Sequence, residues 1–292
     1  MTCVTGVKVC FLADDYAGYD VRGLLGQHGL SVYIETVDAR GRGHSLLFDA
    51  GQYGEAILHN AKLLDVDLRK LEAVVLSHNH YDHTGGLIEI LKAVGHRVPV
   101  VFHPYALKPC IHIGKDRVRL KVGMPYTVEE LKSLADPLCI RGFFQASPGV
   151  YYLGEVERDP SMVPRIRGMY TIEDGVLVEH RLLDDTGLAV DVEGLGLILI
   201  TGCSHSGVVN MARQASRRLG KRVYAVLGGF HLGSSDRDFI GRTIAELKKL
   251  GVEEVHTGHC TGLVAEYMFL EAYGKRFFKI HAGYKTSFPH GS

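Results

Sequence analysis

Residues Ser77-His78-Asn79-His80-Tyr81-Asp82-His83-Thr84-Gly85-Gly86 follow directly on the apolar run Val74-Val75-Leu76. Four metal-ligating side chains, His78, His80, Asp82 and His83, crowd into this short stretch. Neutral imidazole is the commonest protein metal ligand, and a carboxylate among imidazoles suits zinc, iron or manganese. In an extended or looping segment alternate side chains point the same way, so His78 and His80 are expected to converge on one ion. Past the bend, Asp82 and His83 are expected to face a second ion beside it. Gly85-Gly86 then lead into Leu87–Val94, whose apolar residues recur with helical spacing. The segment reads as strand, metal loop, helix. Histidine clusters also occur as tags or surface scavengers. Those lie in flexible polar sequence at termini, whereas this one follows a buried-type strand well inside the chain.

Composition sets the frame around this loop. With 292 residues, 46% of them hydrophobic, the chain can bury a large core. Lys+Arg and Asp+Glu balance at 33 each, so no global field favours nucleic acid or an anionic membrane. No apolar run approaches bilayer length. The start, Met1–Leu12, lacks a basic region and a small-residue cleavage site, so it reads as a first strand and the expected location is the cytoplasm. The 6 cysteines form no CxxC pair. Packing is the expected role for Cys203 and Cys260, although each sits within two residues of a candidate ligand histidine.

Outward from the loop, Lys8–Leu12, Leu30–Thr36 and Ser45–Phe48 read as strands, Tyr53–Leu64 as a helix and Val98–Phe102 as a strand. Between about Leu107 and Pro164 the pattern blurs, apart from a helix over Val128–Ala135 capped by Thr127. This region, 107–164, is expected to form an insertion over the active face of a single domain spanning 1–292. After Gly194 one plan repeats. Strand Leu195–Thr201 leads to His205 and helix Val208–Arg218. Strand Arg222–Leu227 leads to His231 and helix Asp236–Leu250. Strand Glu253–Val255 leads to His256 and His259 and helix Leu263–Tyr273. In α/β sheets, ligands bind just past the carboxyl ends of strands. Four strand ends carrying imidazole imply one shared site.

Coordination count then divides the ligands. Three protein ligands with a place left for water is the catalytic pattern, and four closed ligands the structural one. His78, His80 and His205 are assigned to one ion, and Asp82, His83 and His259 to the other. Two ions about 3.5–4 Å apart can hold a bridging hydroxide. His231 is expected in the site, as a catalytic residue or as a hydrogen-bonding neighbour of the ligands. Asp49 is expected to brace the histidine loop, and His256 to be structural. Arg158, His103, His112 and Lys121 are candidates for gripping an anionic substrate, and Asp185 is a further substrate-side candidate. His28, His44, His59, His96, His180 and His290 read as ordinary core or surface residues.

His78-x-His80-x-Asp82-His83, with Phe48-Asp49-Ala50-Gly51 upstream and separate later histidines, resembles the metallo-β-lactamase superfamily almost end to end. The resemblance implies an αββα sandwich of two mixed β-sheets flanked by helices, with a metal site at one edge. A narrower set is similar to the branch named for 7,8-dihydropterin-6-methyl-4-(β-D-ribofuranosyl)aminobenzene-5′-phosphate synthase. That set is His28-Gly29-Leu30-Ser31, Gly123-Met124-Pro125, Gly154–Arg158, Asp184-Asp185, Thr201–Gly207, Gly228–Leu232 and His259–Gly262. One departure stands out. Hydrolases of the superfamily carry a Gly-Asp pair whose aspartate bridges both metals, and here that place reads Gly228-Gly229-Phe230-His231. His231 filling the gap, Asp184 or Asp185 reaching in, and a single firmly held metal are the alternatives.

The expected activity is metal-dependent hydrolysis, with metal-activated water attacking a small phosphate- or ester-bearing substrate and Asp82 orienting it. Zinc is the first choice of metal, one ion or two, with manganese, iron or magnesium as alternatives. The alternative activity is transfer, condensing dihydropterin pyrophosphate with ribofuranosylaminobenzene 5′-phosphate. The third is a non-catalytic metal-binding protein. The expected partner is a small molecule, not nucleic acid or membrane, and the sequence leaves oligomeric state open.

Overall fold

The computed structural model describes residues 2–116 and 119–290. Its first part runs β1 (Val4–Ala13), β2 (Ser31–Asp38), β3 (Gly43–Phe48), α1 (Gly54–Leu63), β4 (Ala73–Val75), α2 (Tyr81–Thr84), α3 (Leu87–Val94) and β5 (Pro99–Phe102). The middle gives β6 (Ile111–Ile113), β7 (Arg119–Lys121), α4 (Val128–Leu134), β8 (Asp136–Cys139), β9 (Phe144–Ser147), β10 (Val150–Tyr152), β11 (Met169–Glu173) and β12 (Val176–Glu179). The last part is β13 (Gly187–Val192), β14 (Gly196–Thr201), α5 (Val208–Leu219), β15 (Val223–Gly228), α6 (Arg237–Lys249), β16 (Glu254–Thr257), α7 (Leu263–Tyr273), β17 (Phe277–Lys279) and β18 (Lys285–Phe288).

Side-chain alternation explains why these elements stack in four layers. Along β1, Val7, Val9 and Phe11 enter one buried cluster while Cys10 and Leu12 enter another. A strand apolar on both faces must be covered on both faces. Ile34, Leu46, Phe48 and Val75 join the first cluster from β2, β3 and β4. Leu188, Val190, Ile198, Ile200 and Leu227 reach the same cluster from β13, β14 and β15, so it fills the space between two sheet halves. On one outer face Leu47 and Val74 pack with Ile57, Ala61, Ile90 and Leu91 of α1 and α3. On the other, Leu197, Leu199 and Val226 pack with Met211, Ala215, Ile244 and Phe269 of α5, α6 and α7. The result is the expected αββα sandwich, its mixed sheets flanked by helices.

The strand path is continuous, in the order β17-β16-β15-β14-β13-β1-β2-β3-β4-β5-β8. Among the described residues the strand path passes from one half to the other where Val4 of β1 lies beside Val192 of the parallel strand β13. Residues 107–164 do not stand apart as one unit. Strand β8 pairs with β5, and β9 and β10 build onto β13, because their apolar residues complete the main layers. A separate four-stranded sheet, β12-β11-β6-β7, takes its other half from beyond residue 164. Helix α4 starts as expected at Thr127, whose Oγ1 accepts Glu130 N at 3.2 Å while Glu130 accepts Thr127 N at 2.7 Å.

Register places the site. Thr201, Gly228 and Thr257 lie side by side at the carboxyl ends of the parallel strands β14, β15 and β16. The loops that follow, beginning at Gly202, Gly229 and Gly258, therefore leave the sheet on one rim. Phe48 beside Val75 does the same for Asp49 and for the segment entering Ser77. Among the described residues no helix is long and apolar enough to cross a membrane.

Candidate metal centre

On that rim the imidazoles meet in two adjoining clusters. In the first, His78 Nε2 lies 3.0 Å from His80 Nδ1, and His205 Nε2 lies 3.2 Å and 3.3 Å from those two atoms. In the second, His83 Nε2 and His259 Nε2 are 3.2 Å apart, and Asp82 Oδ2 is 3.4 Å from each. Cys203 Sγ completes this second set, 3.1 Å from His83 Nε2 and 3.3 Å from His259 Nε2. The His78 and His83 rings, one from each cluster, have centroids 4.3 Å apart. Ligands about 2.0–2.1 Å from a tetrahedral ion lie about 3.3–3.4 Å from one another, so the donor atoms have the spacing a divalent metal requires.

Carboxylates, all buried except the partly exposed Asp15, hold each candidate metal loop from below. Asp49 Oδ1 accepts Ser77 N at 2.7 Å, and its Oδ2 accepts Ser77 Oγ and pairs with His83 Nδ1, both at 2.7 Å. Asp184 Oδ2 accepts Asn79 N at 2.8 Å, between the two histidines of the first cluster. Asp185 Oδ2 accepts Ser206 N and Ser206 Oγ at 2.6 Å, fixing the turn that carries His205. Asp14 Oδ2 accepts His259 N at 2.9 Å, and Asp15 Oδ1 meets His259 Nδ1 at 2.7 Å. These contacts orient the candidate ligand rings and fix which nitrogen of each faces its cluster. They also retain costly backbone. Asp49, Ser204, His231 and His259 have φ of +63°, +59°, +49° and +47°, a region non-glycine residues adopt rarely and mostly at functional sites.

Electrostatics divides the two clusters. Burial holds His78, His80 and His205 below the ordinary histidine value, His80 at about 3, so these rings stay neutral. Burial also opposes charge on His83, but Asp82 and Asp49 outweigh it and push the ring up to about 9. His259 is likewise raised: burial opposes the charge, and Cys260, Asp15 and Asp82 overcome it. Charge on these two rings holds Asp82 well below the carboxylate range in spite of its burial.

The other candidates lie around this core. His231 is half-buried beside His205, ring centroids 4.3 Å apart, and its Nδ1 has no partner among the described residues. It shares a possible ligand group with Cys203 and His205. No carboxylate belongs to both clusters among the described residues. Neither Asp184 nor Asp185 enters a ligand group, and Asp185, wholly buried, lies under the His205 turn rather than toward a substrate. A cavity of about 320 Å³ opens beside His205, lined among others by Arg158, Ile166, Met169, His180 and Arg181. The Arg158 guanidinium donates to the carbonyls of Arg181 and Leu182. His103 is turned to local structure, with Nδ1 accepting Tyr105 N at 3.1 Å and Nε2 3.3 Å from Glu155. His112 and Lys121 lie on the small sheet. His256 is stacked on Phe278 and bonded to Tyr284 Oη, the structural role expected of it.

Sequence reasoning missed Cys203 as a donor, His28 at the rim and the braces Asp14 and Asp15. His28 is half exposed, with Nδ1 3.1 Å from Asp15 and Nε2 3.5 Å from Asp82 Oδ2. The signals were present: Cys203 stands two residues before a candidate ligand, and His28-Gly29 belongs to the narrower motif set. His180, read as an ordinary core residue, faces the cavity beside His205.

Comparison with known proteins agrees with this geometry. The family model of the metallo-beta-lactamase superfamily matches residues 26–210. The 7,8-dihydropterin-6-methyl-4-(beta-D-ribofuranosyl)-aminobenzene-5′-phosphate synthase of Methanocaldococcus jannaschii is 39% identical over 286 residues, covering 96% of each chain. The crystal structure of Tm1679, described as a metal-dependent hydrolase of the beta-lactamase superfamily, superposes with a TM-score of 0.81 at 27% identity. It covers 96% of this chain and 98% of its own. A diphosphatase of the PhnP family, 15% identical with a TM-score of 0.52 and 98% of each chain covered, shares the fold. With the ligand loops on one rim of an αββα sandwich and the family model spanning most of it, the chain belongs to the metallo-beta-lactamase superfamily.

Proposed function

We propose that this chain is a metal-dependent transferase. It would join a dihydropterin methyl group, activated as its pyrophosphate, to the amine of a ribofuranosylaminobenzene 5′-phosphate. The observation that carries the reading is 39% identity to the M. jannaschii synthase across 96% of both chains. Two features of the site support it. No carboxylate is common to the two clusters among the described residues, so the site lacks the acidic bridge that organises hydrolytic water. The cavity beside His205 brings Arg158 and Arg181 next to apolar Ile166 and Met169, a lining suited to a phosphorylated, partly apolar substrate.

In this reaction the amine nitrogen bonds to the methylene carbon, the carbon–oxygen bond to pyrophosphate breaks, and the nitrogen loses a proton to solvent. His78, His80 and His205 would hold one divalent ion and Asp82, His83 and His259 a second, zinc before manganese, iron or magnesium. Such ions supply Lewis acidity toward an anionic leaving group. The chain's own groups do the rest. Asp82 fixes the second cluster and presents a carboxylate edge toward the rim. His231, half-buried with Nδ1 unpartnered among the described residues, contacts the leaving group beside His205. Arg158 and Arg181 orient phosphate. The cytoplasm is the proposed location and small molecules the proposed partners.

Hydrolysis is the second reading. The three-imidazole first cluster leaves a fourth tetrahedral position, the pattern of catalytic zinc, and favours it. Incubating metal-loaded protein with both transfer substrates separates the two. Mass spectrometry is expected to detect the coupled product with stoichiometric pyrophosphate. Release of phosphate from simple phosphoesters without any coupled product overturns the transferase reading.

A further inference from the structure

We propose that Cys203 is a metal ligand shared by the two clusters, a thiolate taking the place between them that no carboxylate fills. This inference needs only that the clusters bind metal, and it stands whichever reaction the site performs.

The donor arrangement is the first ground. His83 Nδ1 lies 2.7 Å from Asp49 Oδ2, and His259 Nδ1 lies 2.7 Å from Asp15 Oδ1. A bound cation displaces the Nε2 protons of these two rings, and a carboxylate at this distance keeps the one remaining N–H on Nδ1. Both Nε2 atoms then present lone pairs to the same point, where Asp82 Oδ2 presents a third acceptor 3.4 Å from each. Cys203 Sγ is the fourth atom, 3.1 Å and 3.3 Å from the two nitrogens. A cation satisfies all of them, and it turns the thiol into a fourth ligand with release of its proton.

Position between the clusters is the second ground. Cys203 falls in a ligand group with Asp82, His83 and His259, and in another with His205 and His231, with the donor atoms of each group all within 4.8 Å of one another. His205 is also a member of the first cluster. Cys203 thus stands between the second cluster and His205 of the first, while His78 and His80 share no ligand group with it among the described residues. Its neighbour Cys260 lies close by, its Sγ meeting His231 N at 3.3 Å and the Cys203 carbonyl at 3.7 Å, but among the described residues it enters no ligand group. The two thiols therefore make an internal comparison. A thiolate also shifts selectivity, favouring zinc or iron over magnesium and manganese, which prefer oxygen.

The test is spectroscopic and independent of turnover. Metal-free protein is titrated with cobalt(II), and the near-ultraviolet sulfur-to-cobalt charge-transfer absorption is followed. Zinc-loaded protein is examined by X-ray absorption for a sulfur neighbour at about 2.3 Å. Wild type and Cys260→Ser are expected to show the absorption and Cys203→Ser to lack it. In Cys203→Ser the second metal equivalent is expected to bind more than about tenfold more weakly. A shared ligand makes the absorption grow through both equivalents. Saturation at one equivalent overturns the sharing. Absence of any sulfur signature in wild type, a measurement that needs no variant, overturns the ligand role itself, as does its persistence in Cys203→Ser.

Discussion

Asp49 Oδ2 lies 2.7 Å from His83 Nδ1, while the other oxygen of the same wholly buried carboxylate accepts Ser77 N at 2.7 Å. One side chain thus ties the start of the histidine loop to a candidate ligand ring six positions later. The loop cannot rotate His83 without breaking the bond that fixes its entry. Ser77 Oγ, which donates to Asp49 Oδ2 at 2.7 Å, also meets His78 Nδ1 at 2.8 Å, so the brace reaches an imidazole of each cluster.

Replacing Asp49 by Asn is therefore expected to weaken metal binding without unfolding the protein. The amide keeps one acceptor for Ser77 N but places an N–H against His83 Nδ1 or Ser77 Oγ. Affinity for zinc is expected to fall about 10–100-fold, as for other partners of ligating histidines. Competition with a chromophoric chelator measures it. Unchanged affinity means the rings are positioned by packing alone.

Asp184 supplies a pH dependence with a definite sign. Burial pushes its carboxyl up from 3.8 to about 7, against the backbone hydrogen bonds it accepts. The folded state then holds the proton more tightly than the unfolded chain. Stability from this group is complete below 3.8 and is lost as pH rises through about 7. Asp184→Asn removes the charge and the dependence. In urea unfolding of chelator-treated protein, the variant is expected to gain about 2 kcal/mol on wild type between pH 5.5 and 8.5. A constant difference across that range contradicts the assignment.

How much of this was legible in the sequence depended on distance along the chain. The loop from His78 to His83 declared itself because its ligands alternate within one local segment. The repeated strand, histidine, helix plan after Gly194 placed His205, His231 and His259 on one rim, since parallel strands end together. Asp15 and His259 are 244 positions apart, and no local pattern links them. Cys203 read as packing because a buried thiol beside a ligand is ordinary. Its role depends on β14 lying across the site from the His83 turn. The middle of the chain blurred for a related reason. Strands β8, β9 and β10 are short edge additions to a sheet whose other strands lie far away in sequence.

Gly29 tests the contact that sets His28 against the site. Its φ is +127°, and an added Cβ would stand 2.1 Å from the Asp82 carbonyl oxygen, which is backbone. The same carbonyl accepts Leu30 N at 3.2 Å, so the two segments cannot part without losing a hydrogen bond. Gly29→Ala is expected to cost more than about 2 kcal/mol of stability, from strain and from displaced backbone together. The urea midpoint should drop, and zinc affinity with it, because Asp82 moves. A variant with wild-type midpoint shows that the segment yields without cost.

Arg181 isolates substrate binding from metal binding. It lines the cavity beside His205 but touches neither cluster, and Arg158 steadies it by donating to its backbone carbonyl. Removing its charge in Arg181→Ala should leave metal content unchanged. If the cavity takes phosphate, KM for the phosphorylated substrate rises about tenfold, the worth of one charge-assisted contact near 1.4 kcal/mol, and kcat changes little. Arg181→Lys keeps the charge without the planar fork and should recover part of the loss. Arg158→Ala removes both a charge and the support of the Arg181 backbone, so its KM effect should exceed that of Arg181→Ala. Equal KM values for wild type and Arg181→Ala would move the anion site away from this cavity, toward the face of the rim where His28 stands.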